Sequence, residues 1–214
     1  MPSTASPPAL PPGLVARATA LAQRRPRALL GIVGPPGAGK STLAAALLAA
    51  LPAGLAQVVP MDGYHLAQVE LERLGRAARK GAPDTFDSAG YVALLARLRQ
   101  QPADEIVYAP DFRREIEEPV AGAIPVLAST RLIITEGNYL LLDEPHWSRV
   151  ASVLDETWYV DVDDRLRIER LVARHERHGR SPQAARDWVA HTDEPNARRI
   201  AATRDKAQVH VAWT

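Results

Sequence analysis

The plainest chemistry in this chain lies in one run, Gly34-Pro35-Pro36-Gly37-Ala38-Gly39-Lys40-Ser41-Thr42. It matches G-x-x-x-x-G-K-[ST], a pattern that wraps backbone amides around phosphate oxygens. Glycines let the loop approach an anion closely, and a helix after Lys40 would turn the positive end of its dipole toward it. Lys40 can reach the terminal phosphates, and the Ser41 hydroxyl can hold Mg²⁺. Gly34, Gly37, Ala38, Gly39, Lys40, Ser41 and Thr42 are therefore the candidate nucleotide-binding residues, with ATP and Mg²⁺ as cofactors. The motif speaks for nucleotide binding and leaves hydrolysis, transfer and sensing open.

Two acidic residues stand where they could complete a reaction. Asp62 lies in Met61-Asp62-Gly63-Tyr64-His65 after a short apolar run, and Glu136 closes the run Arg131–Thr135 just before Gly137-Asn138. In a doubly wound sheet the carboxyl ends of the strands gather at the ligand crevice. Asp62 there could orient an acceptor hydroxyl and take its proton; the plain alternative is a turn aspartate before glycine. Glu136 suits the surroundings of Mg²⁺, or else pairs with a lysine or caps a loop. Tyr64 and His65 adjoin Asp62 and could shape an acceptor site. The loops Lys80–Asp87 and Tyr108–Arg114 could cover it, or could be ordinary surface.

Arg167, Arg170, Arg174 and Arg177 share roughly one helical face, and His178-Gly179-Arg180-Ser181-Pro182 breaks the helix. A hinged segment carrying arginines suits a lid over a transferring phosphoryl group; a solvated basic face is the bland alternative. Spacing does not single out the arginine that meets phosphate. His146, His191 and His210 lack metal-ligand spacing, and Trp147, Trp158, Trp188 and Trp213 read as packing residues.

The elements that must position these groups are legible. Ala28–Val33 reads as a buried strand, and the Ala/Leu-rich Ser41–Leu51 as the helix behind the loop. Further strands are expected at Gln57–Pro60, Arg131–Thr135, Glu156–Val162 and Val209–Trp213. Helices are expected at Leu14–Gln23, Leu66–Leu74, Ala89–Arg99 with Ser88 as N-cap, from Asp163 or Asp164 to about His178, and from Pro182 towards Lys206. Gly75–Asp87 reads as a loop, and Glu105–Pro125 as a hairpin or a loose excursion. Strands separated by helices imply an α/β fold, a three-layer sandwich on a mostly parallel sheet with a small helical lid.

At 214 residues the chain suits one domain, assigned to 14–214 after a flexible tail at 1–13. A net charge of +1 argues against bulk binding to nucleic acid. No apolar run is long enough for membrane insertion, and the lack of cysteine fits a cytoplasmic protein. A small-molecule acceptor is the expected partner; a homodimer is left open.

GPPGAGKST, MDGYH, PDTFD at Pro83–Asp87, ITEGNYLL at Ile134–Leu141 and HGRS at His178–Ser181 occur in that order. In this the chain resembles the uridine kinase, phosphoribulokinase and bacterial pantothenate kinase superfamily, from about Arg27 to about Ala207. It looks nearest to a bacterial subgroup labelled nucleoside kinase-like or fructose transport system kinase-like. The resemblance implies an ATP- and Mg²⁺-dependent kinase with Asp62 as catalytic carboxylate and Lys40 beside it. Glu136 would match the acidic residue after the third conserved strand, and Arg180 and Arg174 the lid arginines. Tyr64, His65, Phe86 and Arg113 fall where such kinases bind the acceptor. The chain departs from uridine kinases at YAPDFRREIEEP and at Asp193–Asn196, which leaves nucleoside, sugar and pantothenate-like acceptors open. The rival is an ATP-binding switch or sensor tied to a sugar transport system, with no metabolite phosphorylation. Neither an N-K-x-D nor an L-S-G-G-Q-like signature is present.

Overall fold

The structure is a computed structural model that describes residues 9–213. Its strands in chain order are β1 (Ala28–Val33), β2 (Ala56–Pro60), β3 (Ile106–Arg113), β4 (Glu118–Leu127), β5 (Leu132–Gly137), β6 (Glu156–Asp161) and β7 (Val209–Ala212). Its α-helices are α1 (Leu14–Arg24), α2 (Lys40–Ala50), α3 (Gln68–Arg73), α4 (Ser88–Arg99), α5 (Val150–Val153), α6 (Asp164–Arg177), α7 (Pro182–Trp188) and α8 (Glu194–Ala201). Five strands form one sheet in the order β2-β5-β1-β6-β7, and every pairing in it is parallel.

The apolar runs of β1 and β5 are buried along their whole length because helices cover both faces. Side-chain alternation divides them between two cores. Ala28, Leu30, Ile32, Leu132 and Ile134 pack with α1 and α2, on the face that also takes Trp158. Leu29, Val33 and Ile133 face the other way, towards Tyr91, Leu95 and Leu98 of α4. Layers and parallel sheet are as the sequence implies.

Local departures have identifiable causes. Asp87, not Ser88, caps α4: its side chain accepts from the Gly90 amide, and Ser88 is the first helical residue. The helix expected from Pro182 towards Lys206 is interrupted by a π-helical segment, Val189–Asp193, between α7 and α8. Glu105–Pro125 contains a hairpin, β3 against β4 antiparallel, with a register shift between Ala109 and Asp111. Pro110 sits at that shift, where it has no amide to donate to the ladder. Most of the tail expected at 1–13 lies outside the described residues, and within the rest Leu10 packs against the α1/α2 core.

One buried cation ties the layers together. The Arg27 side chain donates to the carbonyls of Thr130 (2.9 Å), Leu98 (2.8 Å), Leu127 (2.7 Å) and Ala128 (3.0 Å). It thus joins the start of β1 to the end of α4 and the end of the hairpin. Arg27→Met would strand these carbonyls away from water. The expected loss is about 3 kcal/mol, or a thermal midpoint lower by roughly 6–12 °C. A calorimetric loss below about 1 kcal/mol would mean that water replaces the guanidinium.

Candidate active site

The loop between β1 and α2 turns on Gly37 (φ 81°) and Gly39 (φ 88°), both in the left-handed region. Gly39 is the N-cap of α2 and supplies no side-chain cap. The first amides of α2 are thus left for an anionic ligand. Gly37, Lys40 and Ser41 line a cleft of about 540 Å³; Gly34, Ala38, Gly39 and Thr42 shape the loop behind it.

Lys40 is 8% exposed, and its ammonium donates to the Pro35 carbonyl (3.1 Å) and to Oδ1 of Asn138 (2.7 Å). Burial lowers its pKa to about 8, against the opposing pull of the Glu136 and Asp62 carboxylates. Ser41 Oγ donates to Glu136 Oε1 at 2.7 Å. Strand parity explains that contact: Glu136 continues the Leu132, Ile134 series, which faces α2. Burial first, and then the neighbouring Asp62 charge, push the Glu136 carboxyl above its usual range. Two hard oxygen donors on a buried, repelled carboxylate and its hydroxyl neighbour suit Mg²⁺.

Asp62 sits in a short 3-10 turn, Met61–Tyr64, that starts where β2 ends. Close backbone approach explains two glycines of the sequence motifs. A Cβ on Gly63 would lie 2.3 Å from the Pro110 carbonyl, and one on Gly137 would lie 2.6 Å from Met61 Cβ. Only glycine lets the hairpin, the Asp62 turn and the end of β5 meet so closely. The PDTFD loop is then stitched to this turn, Leu66 N to the Thr85 carbonyl and Asp87 N to the Tyr64 carbonyl, both at 2.9 Å. Phe86 is buried against Tyr139 and Trp147 in edge-on contacts.

The other expected site residues divide. His65 and Phe86 line the cleft; Tyr64 does not, and its ring packs against that of Tyr91 in a tilted contact, 5.4 Å between centroids. Arg113 turns away and pairs with Asp111 at 3.6 Å, while its neighbour Arg114 reaches Asp62 Oδ2 at 3.3 Å. Within β3 alternation puts Phe112 on the cleft side and Arg113 on the other, and Arg114 follows in the turn beyond the strand, where it comes back to the cleft.

The four arginines of α6 also separate. Arg167 is 1% exposed, pairs with Asp164 and Glu194, and sits behind the phosphate loop, where a Cβ on Gly37 would come within 2.8 Å of its carbonyl. Among the four only Arg174 lines the cleft. Burial, and then the Arg114 charge, lower its pKa. Beyond the break, Arg180 also lines the cleft and lies 3.8 Å from the Trp188 ring centroid. Trp188 is therefore a platform as well as a packing residue. The loops Lys80–Asp87 and Tyr108–Arg114, expected as possible covers, do reach the cleft through Lys80, Phe86, Phe112 and Arg114, whereas sequence reasoning missed the Trp188 platform, Asn138 and Asn196, which also line it. Asn138, two residues beyond Glu136 at the end of β5, carried the one usable signal.

No family model matches the chain. A provisionally named uridine kinase of Schizosaccharomyces pombe is 37% identical over 167 residues, 74% of this chain and 71% of that protein. The ATP-dependent kinase-like protein notR' of Aspergillus versicolor is 39% identical over 152 residues, 67% of this chain and 88% of that one. A crystal structure from Silicibacter sp. TM1040, provisionally described as a fructose transport system kinase, superposes with a TM-score of 0.82 at 39% identity, covering 94% of this chain and 98% of that one. A phosphate loop, the acidic groups beside it and full-length similarity to such kinases coincide in one molecule: the chain belongs to the uridine kinase-like group of P-loop kinases.

Proposed function

We propose that the protein transfers the γ-phosphoryl group of ATP to a hydroxyl of a small metabolite, with Asp62 as the catalytic carboxylate. The observation that carries this reading is convergence. Lys40, Ser41, Glu136 and Asp62 come from three neighbouring strand ends and line one cleft. The amides of α2 and Lys40 would hold the phosphates, while Ser41 and Glu136 would hold Mg²⁺. The bound ion would supply charge neutralisation at the phosphoryl oxygens. Asp62 would orient the acceptor hydroxyl and take its proton as the new O–P bond forms, with ADP leaving. Arg174 and the Arg180–Trp188 pair would close over the site and exclude water.

Asp62→Asn keeps the shape of the turn and removes the base. Acceptor-dependent ADP release should fall by about 10²- to 10⁴-fold with nucleotide binding retained. Near-normal turnover would sink the assignment, and ATP binding with no acceptor-stimulated release by the unaltered protein would favour a sensor.

Lys40 gives a pH prediction. Its pKa is about 8 in the free protein, against an ordinary 10.5. Bound polyphosphate favours the ammonium and raises that value again. Below pH 8 Lys40 is already charged, and binding moves no proton there. Above it, binding must take up a proton, and affinity falls as pH rises. Titration calorimetry in buffers of different ionisation enthalpy should show uptake near zero at pH 7 and approaching one proton at pH 9. Lys40→Met should abolish the difference; equal uptake at both pH values would refute the shift.

Glu136→Gln removes a buried charge that Asp62 repels. The free protein should gain about 1 kcal/mol, a midpoint higher by roughly 2–4 °C, while Mg²⁺ no longer strengthens nucleotide binding. A lower midpoint would mean that Ser41 and Lys40 more than compensate the carboxylate.

A further inference from the structure

The acceptor half of the cleft has a composition of its own. His65 lies between two phenyl rings, 4.0 Å from Phe86 and 4.6 Å from Phe112, centroid to centroid. The rings are tilted against one another, by 41° and 44°. Two cations flank Phe112: Lys80 Nζ is 5.6 Å from its centroid and Arg114 Cζ is 5.9 Å away. Both line the cleft.

These cations are poorly matched within the protein. Lys80 donates to the Glu117 carbonyl (2.6 Å) and to the Gln68 amide oxygen (3.4 Å), both neutral acceptors. Among the described residues no carboxylate lies within ion-pair distance of it. Glu117, held at φ 53° in the hairpin turn, presents the carbonyl that aims the ammonium. Arg114 makes one long contact, 3.3 Å to Asp62 Oδ2, which engages one oxygen of the carboxylate that would have to serve the acceptor hydroxyl.

We infer that Lys80 and Arg114 recognise an anionic group, a carboxylate or a phosphate, on the hydroxyl-bearing acceptor. This rests on the kinase reading and narrows it to small hydroxylated anions in place of neutral nucleosides. An anion at Lys80 and Arg114 replaces the single Arg114–Asp62 contact with charge-assisted bonds of its own. Both oxygens of Asp62 are then free to face the hydroxyl.

The test uses the full chain with a non-hydrolysable ATP analogue and Mg²⁺. Matched ligands share a hydroxylated body and differ in the end group: glycerol, glycerate and glycerol 3-phosphate; ribose and ribose 5-phosphate; uridine as the neutral nucleoside. Calorimetry should show at least one anionic member binding ten-fold or more tightly than its neutral partner. The tighter of glycerate and glycerol 3-phosphate identifies the group as carboxylate or phosphate. Lys80→Gln, which keeps a donor for the Glu117 carbonyl, should erase that preference, and Lys80→Arg should restore most of it. Uridine or a neutral sugar binding as tightly as every anion, or a preference that survives both Lys80→Gln and Arg114→Gln, overturns the inference. With ATP in place of the analogue, ADP release driven by a neutral acceptor better than by any anion would overturn it while leaving the kinase reading standing. Charge-selective binding lost in Lys80→Gln, without ADP release from ATP for any bound anion, would keep the anion site and defeat the kinase reading.

Discussion

The Lys40 ammonium is almost wholly withdrawn from water, and the site is organised around that fact. A buried charge is tolerated only with close partners. Here the Pro35 carbonyl and the Asn138 side chain accept from it, and the Glu136 and Asp62 carboxylates supply opposing charge. The dependence is mutual. Burial and Asp62 disfavour the charge on Glu136, and Lys40 and the Ser41 hydroxyl offset part of that penalty. The cleft therefore holds groups of both signs in a balance that a metal–polyphosphate ligand is suited to complete.

Holding this balance requires three strand ends at one level, and the sheet provides it. β5 lies between β1 and β2, with Ile32 beside Glu136 and Pro60 beside Glu136 on the other side. The phosphate loop, the Asp62 turn and Glu136 thus leave adjacent strands within one register step. Gly63 and Gly137 remove the side chains that would keep these segments apart. A second set of contacts fixes the surroundings. Thr135 Oγ1 donates to the Val59 carbonyl at 2.6 Å and lies 2.6 Å from the Tyr91 hydroxyl, while Trp147 Nε1 donates to the Pro83 carbonyl at 3.2 Å. The rigid layer beneath the cleft is therefore bonded to the loop above it.

The two sides of the cleft are built differently. The phosphate side belongs to the central sheet and to α2. The side proposed for the acceptor comes from the hairpin and the Lys80–Asp87 loop, which pack on the sheet through the aromatic cluster around Phe86, Tyr139 and Trp147. Changes there can alter what is bound without disturbing the buried charges that handle phosphate. This separation fits a group of kinases that keeps one chemistry while the acceptor varies. The π-helical segment at Val189–Asp193 adds a local irregularity on the lid side, where His175 Nε2 meets Asp193 Oδ2 at 2.8 Å; such irregularities often mark functional segments.

The sequence alone determined the phosphate loop, the strand before it, the helix after it and the candidacy of Asp62 and Glu136. Each of these is a local matter: a spaced motif, an apolar run, a carboxylate at a strand end. It determined the α/β class for the same reason, since strands and helices alternate along the chain. Only the tertiary structure decided that Arg114 and not Arg113 meets Asp62, because strand pairing aims Arg113 and the turn after the strand aims Arg114. It alone separated Arg174 in the cleft from Arg167 behind the loop, since one helical face can serve two neighbours at once. It alone decided which residues of the two candidate covering loops reach the cleft, Lys80 and Phe112 among them, and that Trp188 joins them. Their positions depend on how a loop, a hairpin and a lid pack across long sequence separations, and no local pattern encodes that packing.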